Sequence, residues 1–487
     1  MNDMNGLVRH LLNTPGITEL IVVGGNNFNS WMIEQIIANL RINRISFYIG
    51  DQDCVKLNEV LINNLVDKYK TNICKLTINA LDDALEYKME SNRVALLFDA
   101  LEDYKFVYNL KNIQPYILCG AIPRGNDVNT FEVWEIFRNS CMKMYLDTWG
   151  ENSKDEVLFW EKDDKETIEL SIIYPMYNVD EYLQQCIETS TAWKADYVEF
   201  LFVDDGSPDG CADIVLNAAK KDPRIKLLRK KNGGCASARQ FGLDKARGKY
   251  VGFVDPDDYV DETMFQKLFV RAMTGRYNIA YCGYIENHEG DGRIIKVNDL
   301  LGEPYSNGTT DNTLILNLCA FCRVAIWRAI YSVEMIKKAN IHFYEDIKRY
   351  DDLPFKFETF AVSKSVVSVP EYLYYYRIGR DGQDMAADDD RLFVHFQIFK
   401  YLDAFVKERG TNDMRERLQI VKFHTHIYAL RKIKKEFFQD YLSMAHTDMI
   451  SLYDSKEGAL LVNKYLGNKD LKLFKAIIRE RGSIIYQ

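Results

Sequence analysis

Tyr250 to Asp258 reads Tyr-Val-Gly-Phe-Val-Asp-Pro-Asp-Asp. Strand-forming apolar residues run straight into the carboxylates Asp255, Asp257 and Asp258, and Pro256 sits among them where no ladder hydrogen bond can continue. Ionising all three so close together is unfavourable unless a cation or solvent offsets the repulsion. Hard oxygen ligands suit Mg²⁺ or Mn²⁺, which take one or two carboxylates and complete their shell with substrate phosphates and water. An acidic solvated turn has the same composition, so the stretch alone leaves both readings open.

The elements around it narrow the choice. Leu170 to Tyr174 reads as a strand running into Pro175-Met-Tyr177-Asn, and Val198 to Val203 as one running into Asp204-Asp205-Gly206-Ser207. A third, Ile225 to Leu228, leads to Asn232-Gly233-Gly234 and a helix over about 235–246 that carries Ser237 and Arg239. Successive strands that end in polar or glycine-rich residues, with helices between them, bring those ends together along one sheet edge. Further on, the pattern predicts a helix over 261–274, a strand over 279–284, a loop or hairpin excursion over 286–310 and an apolar helix over 314–330. A tyrosine-rich strand over 366–376 and periodic helices from 388 to the end complete it.

Residues 1–165 read as a separate doubly wound α/β domain, with strands at 20–23, 45–49, 94–98 and 116–119. Gly24, Gly25 and Asp51 follow the first two. They suggest a dinucleotide or S-adenosylmethionine site, but the spacing is not G-x-G-x-x-G, so a scaffold or partner-binding role stands beside that reading. Residues 149–168, rich in Glu, Asp and Lys, read as a solvated linker. The apolar fraction of 47% and net charge of −9 are those of a globular protein and argue against non-specific nucleic-acid binding. No signal-peptide pattern or membrane-length apolar run is present, which implies a cytoplasmic location. The basic amphipathic stretch Tyr428 to Phe437 reads as a solvated helix face or a peripheral contact at the inner face of a membrane. The ten cysteines are scattered, and the isolated pair Cys319 and Cys322 fits a core helix face better than a zinc site.

Pro175-Met-Tyr-Asn, Val203-Asp-Asp-Gly-Ser, Asn232-Gly-Gly with Ala238-Arg239, and Phe253-Val-Asp-Pro-Asp-Asp, in that order, resemble the family 2 glycosyltransferases. The resemblance covers about 166–380. It implies an A-type nucleotide-diphospho-sugar transferase fold, a Rossmann-like mixed sheet, over 166–385, followed by a helical C-terminal region over 386–487. It implies that Pro175, Tyr177, Asp204 and Asp205 hold the nucleotide, that Gly233 and Gly234 permit close approach, and that Arg239 reaches the donor. Gln240 stands where the family usually has Asn. Asp255 and Asp257 match the motif for Mn²⁺ or Mg²⁺, with Asp258 secondary.

The general base would come from Tyr350-Asp351-Asp352, where Asp351 replaces the family's usual Glu. Asp352 matches the base, Asp351 is the alternative, and the Glu345-Asp346 pair is a decoy; either aspartate could also cap the helix that follows. Arg377 or Arg380 would pair with phosphate. The implied activity is metal-dependent, inverting transfer from a nucleotide-sugar donor, uridine-linked, to a hydroxyl of a glycan, a lipid-linked glycan or a surface polysaccharide. A glycan-binding or assembly subunit without turnover, and a second activity in the N-terminal domain, are the other readings. Nucleotidyl transfer is disfavoured because Pro175-Met-Tyr-Asn offers no glycine-rich basic loop. No nucleic-acid partner is implied, and oligomeric state is open.

Overall fold

The computed structural model describes residues 168–297, 299–379, 387–454, 462 and 464–479, together with the backbone of seven strands between residues 19 and 162. The chain divides into two compact units, Met1–Glu166 and Thr167–Gln487.

The first unit contains β1 (Glu19–Val23), β2 (Ile42–Ile49), β3 (Ile73–Ala80), β4 (Val94–Phe98), β5 (Ile117–Pro123), β6 (Met142–Thr148) and β7 (Asp155–Lys162). Their order is β3-β2-β1-β4-β5-β7-β6. The first five are mutually parallel, and β7 lies antiparallel between β5 and β6. The reading of 149–168 as a linker is therefore corrected: Asp155–Lys162 is a strand paired on both sides. Its charged ends concealed the apolar centre Val-Leu-Phe-Trp. Gly24, Gly25 and Asp51 lie outside the described residues.

In the second unit β8 (Leu170–Met176), α1 (Asp180–Ser190), β9 (Val198–Asp204), α2 (Cys211–Ala219), β10 (Ile225–Arg229), α3 (Cys235–Lys245) and β11 (Tyr250–Phe253) alternate. The strands lie parallel in the order β10-β9-β8-β11. Every residue of β8 and β9 is buried, as expected where both faces of a parallel sheet are covered. Gly242 lets α3 approach closely: a Cβ there would lie 2.5 Å from Ile173 Cγ2.

The sheet continues through β12 (Tyr259–Val260), α4 (Met264–Gly275), β13 (Ile279–His288), β14 (Ile294–Val297), α5 (Asn312–Phe321), β15 (Ala329–Ser332), α6 (Val333–Lys338), α7 (Asp352–Val362) and β16 (Val366–Ile378). β15 lies antiparallel between β11 and β13, and β16 runs parallel to β13, so the sheet is mixed, with nine strands. β14 forms a hairpin with β13 in the expected excursion. The apolar run 314–330 is not one helix. α5 stops at Phe321, Cys322 is extended, and a 3₁₀ turn leads into β15. Apolar continuity alone cannot separate buried helix from buried strand. Cys319 and Cys322 are buried core thiols that face the carbonyls of Phe357 and Asp299.

The helices α8 (Val394–Arg409), α9 (Asn412–Lys432), α10 (Lys435–Asp454) and α11 (Asn468–Ile478) form the C-terminal region, and their apolar faces join the core of this unit. Tyr428 to Phe437 is not one helix. α9 ends at Lys432, Ile433 is extended, and the Lys434 N–H donates to the Asp388 carbonyl at 2.7 Å. Among the described residues no helix is long and apolar enough to cross a membrane.

Candidate functional site

β11 carries the acidic turn to the sheet edge, and β16, which pairs with β12 just beyond the turn, fixes its shape. The Tyr374 hydroxyl accepts the Asp255 backbone N–H at 3.2 Å and donates to Asp258 Oδ2 at 2.8 Å. Asp258 Oδ1 accepts the backbone N–H of Arg377 at 2.8 Å. Asp258 is 0% exposed, and burial together with the charges of Asp257 and Asp255 pushes its carboxyl well above the usual range. Each of its oxygens accepts a hydrogen bond, and the side chain braces the turn from within. Asp257 is nearly buried, whereas the Asp255 side chain keeps 25% of its exposure.

Arg239 on α3 joins the turn to the start of α7. Its Nη2 lies 2.6 Å from Asp255 Oδ1, and its Nη1 lies 2.8 Å from Asp351 Oδ2. Asp351 occupies the N-cap position of α7, yet its side chain makes no capping bond, because its carboxylate is turned to Arg239. Asp352, the first residue of α7, has its carboxyl pushed up to about 7 by burial and by the adjacent Asp351, with Arg239 opposing. Beneath these groups Phe253, Phe343 and Phe355 pack together. Phe343 and Phe355 stack at 4.3 Å, and each meets Phe253 edge-on. The end of β11 and the first turn of α7 therefore share one rigid aromatic floor. The buried Lys356 Nζ adds a second anchor by donating to the carbonyls of Leu318, Cys319 and Cys322 at 2.7–3.2 Å.

The nucleotide-binding candidates lie at or just beyond the ends of β8, β9 and β10. Pro175 is buried within β8, and the Tyr177 ring just beyond is 52% exposed. The Asp205 carboxylate accepts the backbone N–H groups of Gly233 and Gly234 at 2.7–3.1 Å and Lys230 Nζ at 2.7 Å. Gly234 sits at φ 92°, a conformation that L side chains rarely adopt. Asp204 accepts the Ser207 N–H at 2.8 Å. Both aspartates shape these loops by accepting backbone N–H groups.

Several contributors escaped the sequence reading. Lys348 Nζ donates to the Gly233 carbonyl at 2.8 Å, and Ser237 Oγ donates to Glu345 Oε2 at 2.5 Å, so the loop before α7 is tied across the glycine turn. Asp346 anchors the same loop to α8 by accepting from Gln397 and Tyr401. The Glu345-Asp346 pair thus ties this loop to α3 on one side and to α8 on the other. Trp327 stacks on Tyr374 at 4.0 Å and on Tyr376 at 5.5 Å. Tyr376 feels Asp258, Asp255, Asp257 and Asp352, which together with burial raise its phenol pKa. The only signal for these residues was their place beside the motifs. Arg377, expected to pair with phosphate, makes its contacts here within the chain. Its guanidinium pairs with Glu289 at 2.6 Å, contacts Gln185 and lies over the rings of Tyr182 and Tyr259, while its backbone N–H meets the acidic turn. Arg380 lies outside the described residues.

Among the described residues no group of three or more His, Cys, Asp or Glu side chains converges as a metal cluster. Asp255 and Asp257 still fit a Mg²⁺ or Mn²⁺ ion that takes further ligands from substrate phosphate and water.

Residues 171–332 match the family model "Glycosyl transferase family 2". The chain is 35% identical over 213 residues to the uncharacterized glycosyltransferase EpsJ of Bacillus subtilis, covering 43% of this chain and 60% of EpsJ. It is 25% identical over 229 residues to a poly(ribitol-phosphate) beta-glucosyltransferase of Bacillus spizizenii, covering 45% of this chain and 34% of that protein. The matched stretch thus spans under two thirds of either relative. In fold, the chain resembles S. aureus TarS 1-349 in complex with UDP-GlcNAc, with a TM-score of 0.52, 19% identity and coverage of 65% of this chain and 89% of that one. The acidic turn and the glycine turn thus lie in a stretch, residues 171–332, that matches the family 2 glycosyltransferases, within a mixed sheet of A-type fold.

Proposed function

We propose that the chain transfers a sugar from a uridine-linked nucleoside diphosphate donor to a hydroxyl of a glycan or surface polysaccharide, with inversion at the anomeric carbon. The observation that carries this reading is the bridge Asp351–Arg239–Asp255, which holds the two acidic segments together beside Asp352, whose carboxyl burial and Asp351 push up to about 7 against the opposing Arg239. A base acts best when its pKa lies close to the working pH. The UDP-GlcNAc bound in the TarS structure supports the choice of donor.

In this reading Tyr177 stacks on the base, and the loops held by Asp204 and Asp205 enclose the nucleotide. Asp257 and Asp255 would hold a Mn²⁺ or Mg²⁺ ion, whose chemistry is to neutralise the departing diphosphate. Asp352 takes the proton from the acceptor hydroxyl as that oxygen bonds to the anomeric carbon, and the bond to the diphosphate breaks on the opposite face. Arg239 holds Asp351 away from the acceptor and fixes the first turn of α7.

Thermal shift with UDP, with and without Mn²⁺, tests the donor site. Stabilisation by UDP that increases when Mn²⁺ is present is expected. Equal melting temperatures under all conditions would count against an intact donor site and favour a glycan-binding or assembly role.

A further inference from the structure

Tyr350, immediately before Asp351, has φ 56°, a left-handed conformation unusual for a bulky aromatic residue. Such backbone persists only where surrounding structure over-determines it. The ring of His395 on α8 lies 4.8 Å from the Tyr350 ring, and His395 is one end of a chain of polar groups buried among the C-terminal helices.

That chain spans three helices. His395 Nδ1 lies 3.1 Å from the Tyr441 hydroxyl, and His426 Nδ1 lies 3.2 Å from the same oxygen. His426 Nε2 lies 3.0 Å from Asp448 Oδ2. Lys422 Nζ donates to Asp448 Oδ1 and to Asp403 Oδ2, both at 2.8 Å. Burial pushes both imidazoles below their usual pKa, that of His395 to about 3, so both are neutral. With Asp448 ionised, one proton arrangement satisfies every contact. His426 donates from Nε2 to Asp448, Tyr441 donates to His426 Nδ1, and His395 donates from Nδ1 to Tyr441. A buried hydrogen-bonded chain of this kind favours one packing of the helices that carry it. It lies beyond the residues that match the family model.

We infer that the His395–Tyr441–His426–Asp448 chain is a positioning device for the reaction: it holds the ring of His395 against Tyr350 and so keeps the Tyr350–Asp352 backbone aimed at the acceptor. The inference rests on Asp352 as the base. None of the four side chains touches substrate; they act through Tyr350.

Tyr441→Phe removes one hydroxyl, breaks the chain at its centre and keeps the aromatic packing. In the full chain, kcat for sugar transfer is expected to fall by about tenfold, with the donor KM within about twofold of wild type. Asp448→Asn, which keeps an acceptor for His426 Nε2–H, is expected to restore most of the rate lost in Asp448→Ala. Hydrogen exchange at the amides of 350–353 is expected to quicken in Tyr441→Phe, a readout independent of activity. A Tyr441→Phe protein whose melting temperature falls while kcat and exchange at 350–353 stay unchanged would overturn the inference. A wild-type chain inactive with every nucleotide sugar would defeat the transferase reading alone, because the exchange measurement still decides the positioning claim.

Discussion

Asp352 is where chemistry and stability meet. Its folded pKa of about 7 stands above the ordinary aspartate value of about 3.9, so the native state favours the neutral acid. The stabilising contribution is therefore complete at low pH and lost as pH rises through about 7. Asp352→Asn should melt above wild type at pH 8, with the gap closing towards pH 4; an equal change at both pH values would contradict the burial that raises the group. Catalysis has the opposite sign, since the base works only when ionised, and transfer should increase with pH through about 7. Arg239 is the second test at this scale. Arg239→Lys keeps a charge but cannot span two carboxylates as a planar fork does, and a loss of about a hundredfold in transfer, with a lower melting temperature, is expected. Breaking a buried ion pair by truncation commonly costs about 3–5 kcal/mol, so Arg239→Ala should unfold at markedly lower denaturant than Arg239→Lys.

At the scale of elements, the site depends on β16 bracing the turn that follows β11 and on α7 sharing an aromatic floor with β11. Tyr374→Phe removes the hydroxyl that links the Asp255 N–H to the buried Asp258. Leaving such groups unsatisfied costs about 1–3 kcal/mol, and urea denaturation of the variant should show a loss of that size. The parallel strands β8 to β11 were legible because each ends in residues that punctuate structure. The same is true of the acid pair that opens α7. What was not legible depended on which neighbour a side chain would meet. Asp258 looks like Asp257 in sequence, and only the pairing of β16 across the turn makes it an internal brace. Arg377 matched a phosphate ligand in sequence, whereas its pairing with Glu289 depends on the β13–β16 register. The helix end at Phe321 was hidden because an unbroken apolar run fits a helix and a strand equally well.

For the molecule as a whole, the family resemblance falls within one of two units, and the C-terminal helices extend the core of that same unit. In the first unit the charge on either end of β7 masked a strand, a reminder that an acidic and basic stretch can be paired on both edges. The central claim is that the chain turns over a nucleotide sugar with Asp352 as base. The most direct measurement is UDP release from a panel of UDP-sugars with Mn²⁺, in the presence of glycan acceptors, for wild type and Asp352→Asn side by side. Acceptor-dependent UDP release by wild type, lost by about a thousandfold or more in Asp352→Asn while UDP still stabilises the variant, is the expected result. Full transfer by Asp352→Asn would contradict it.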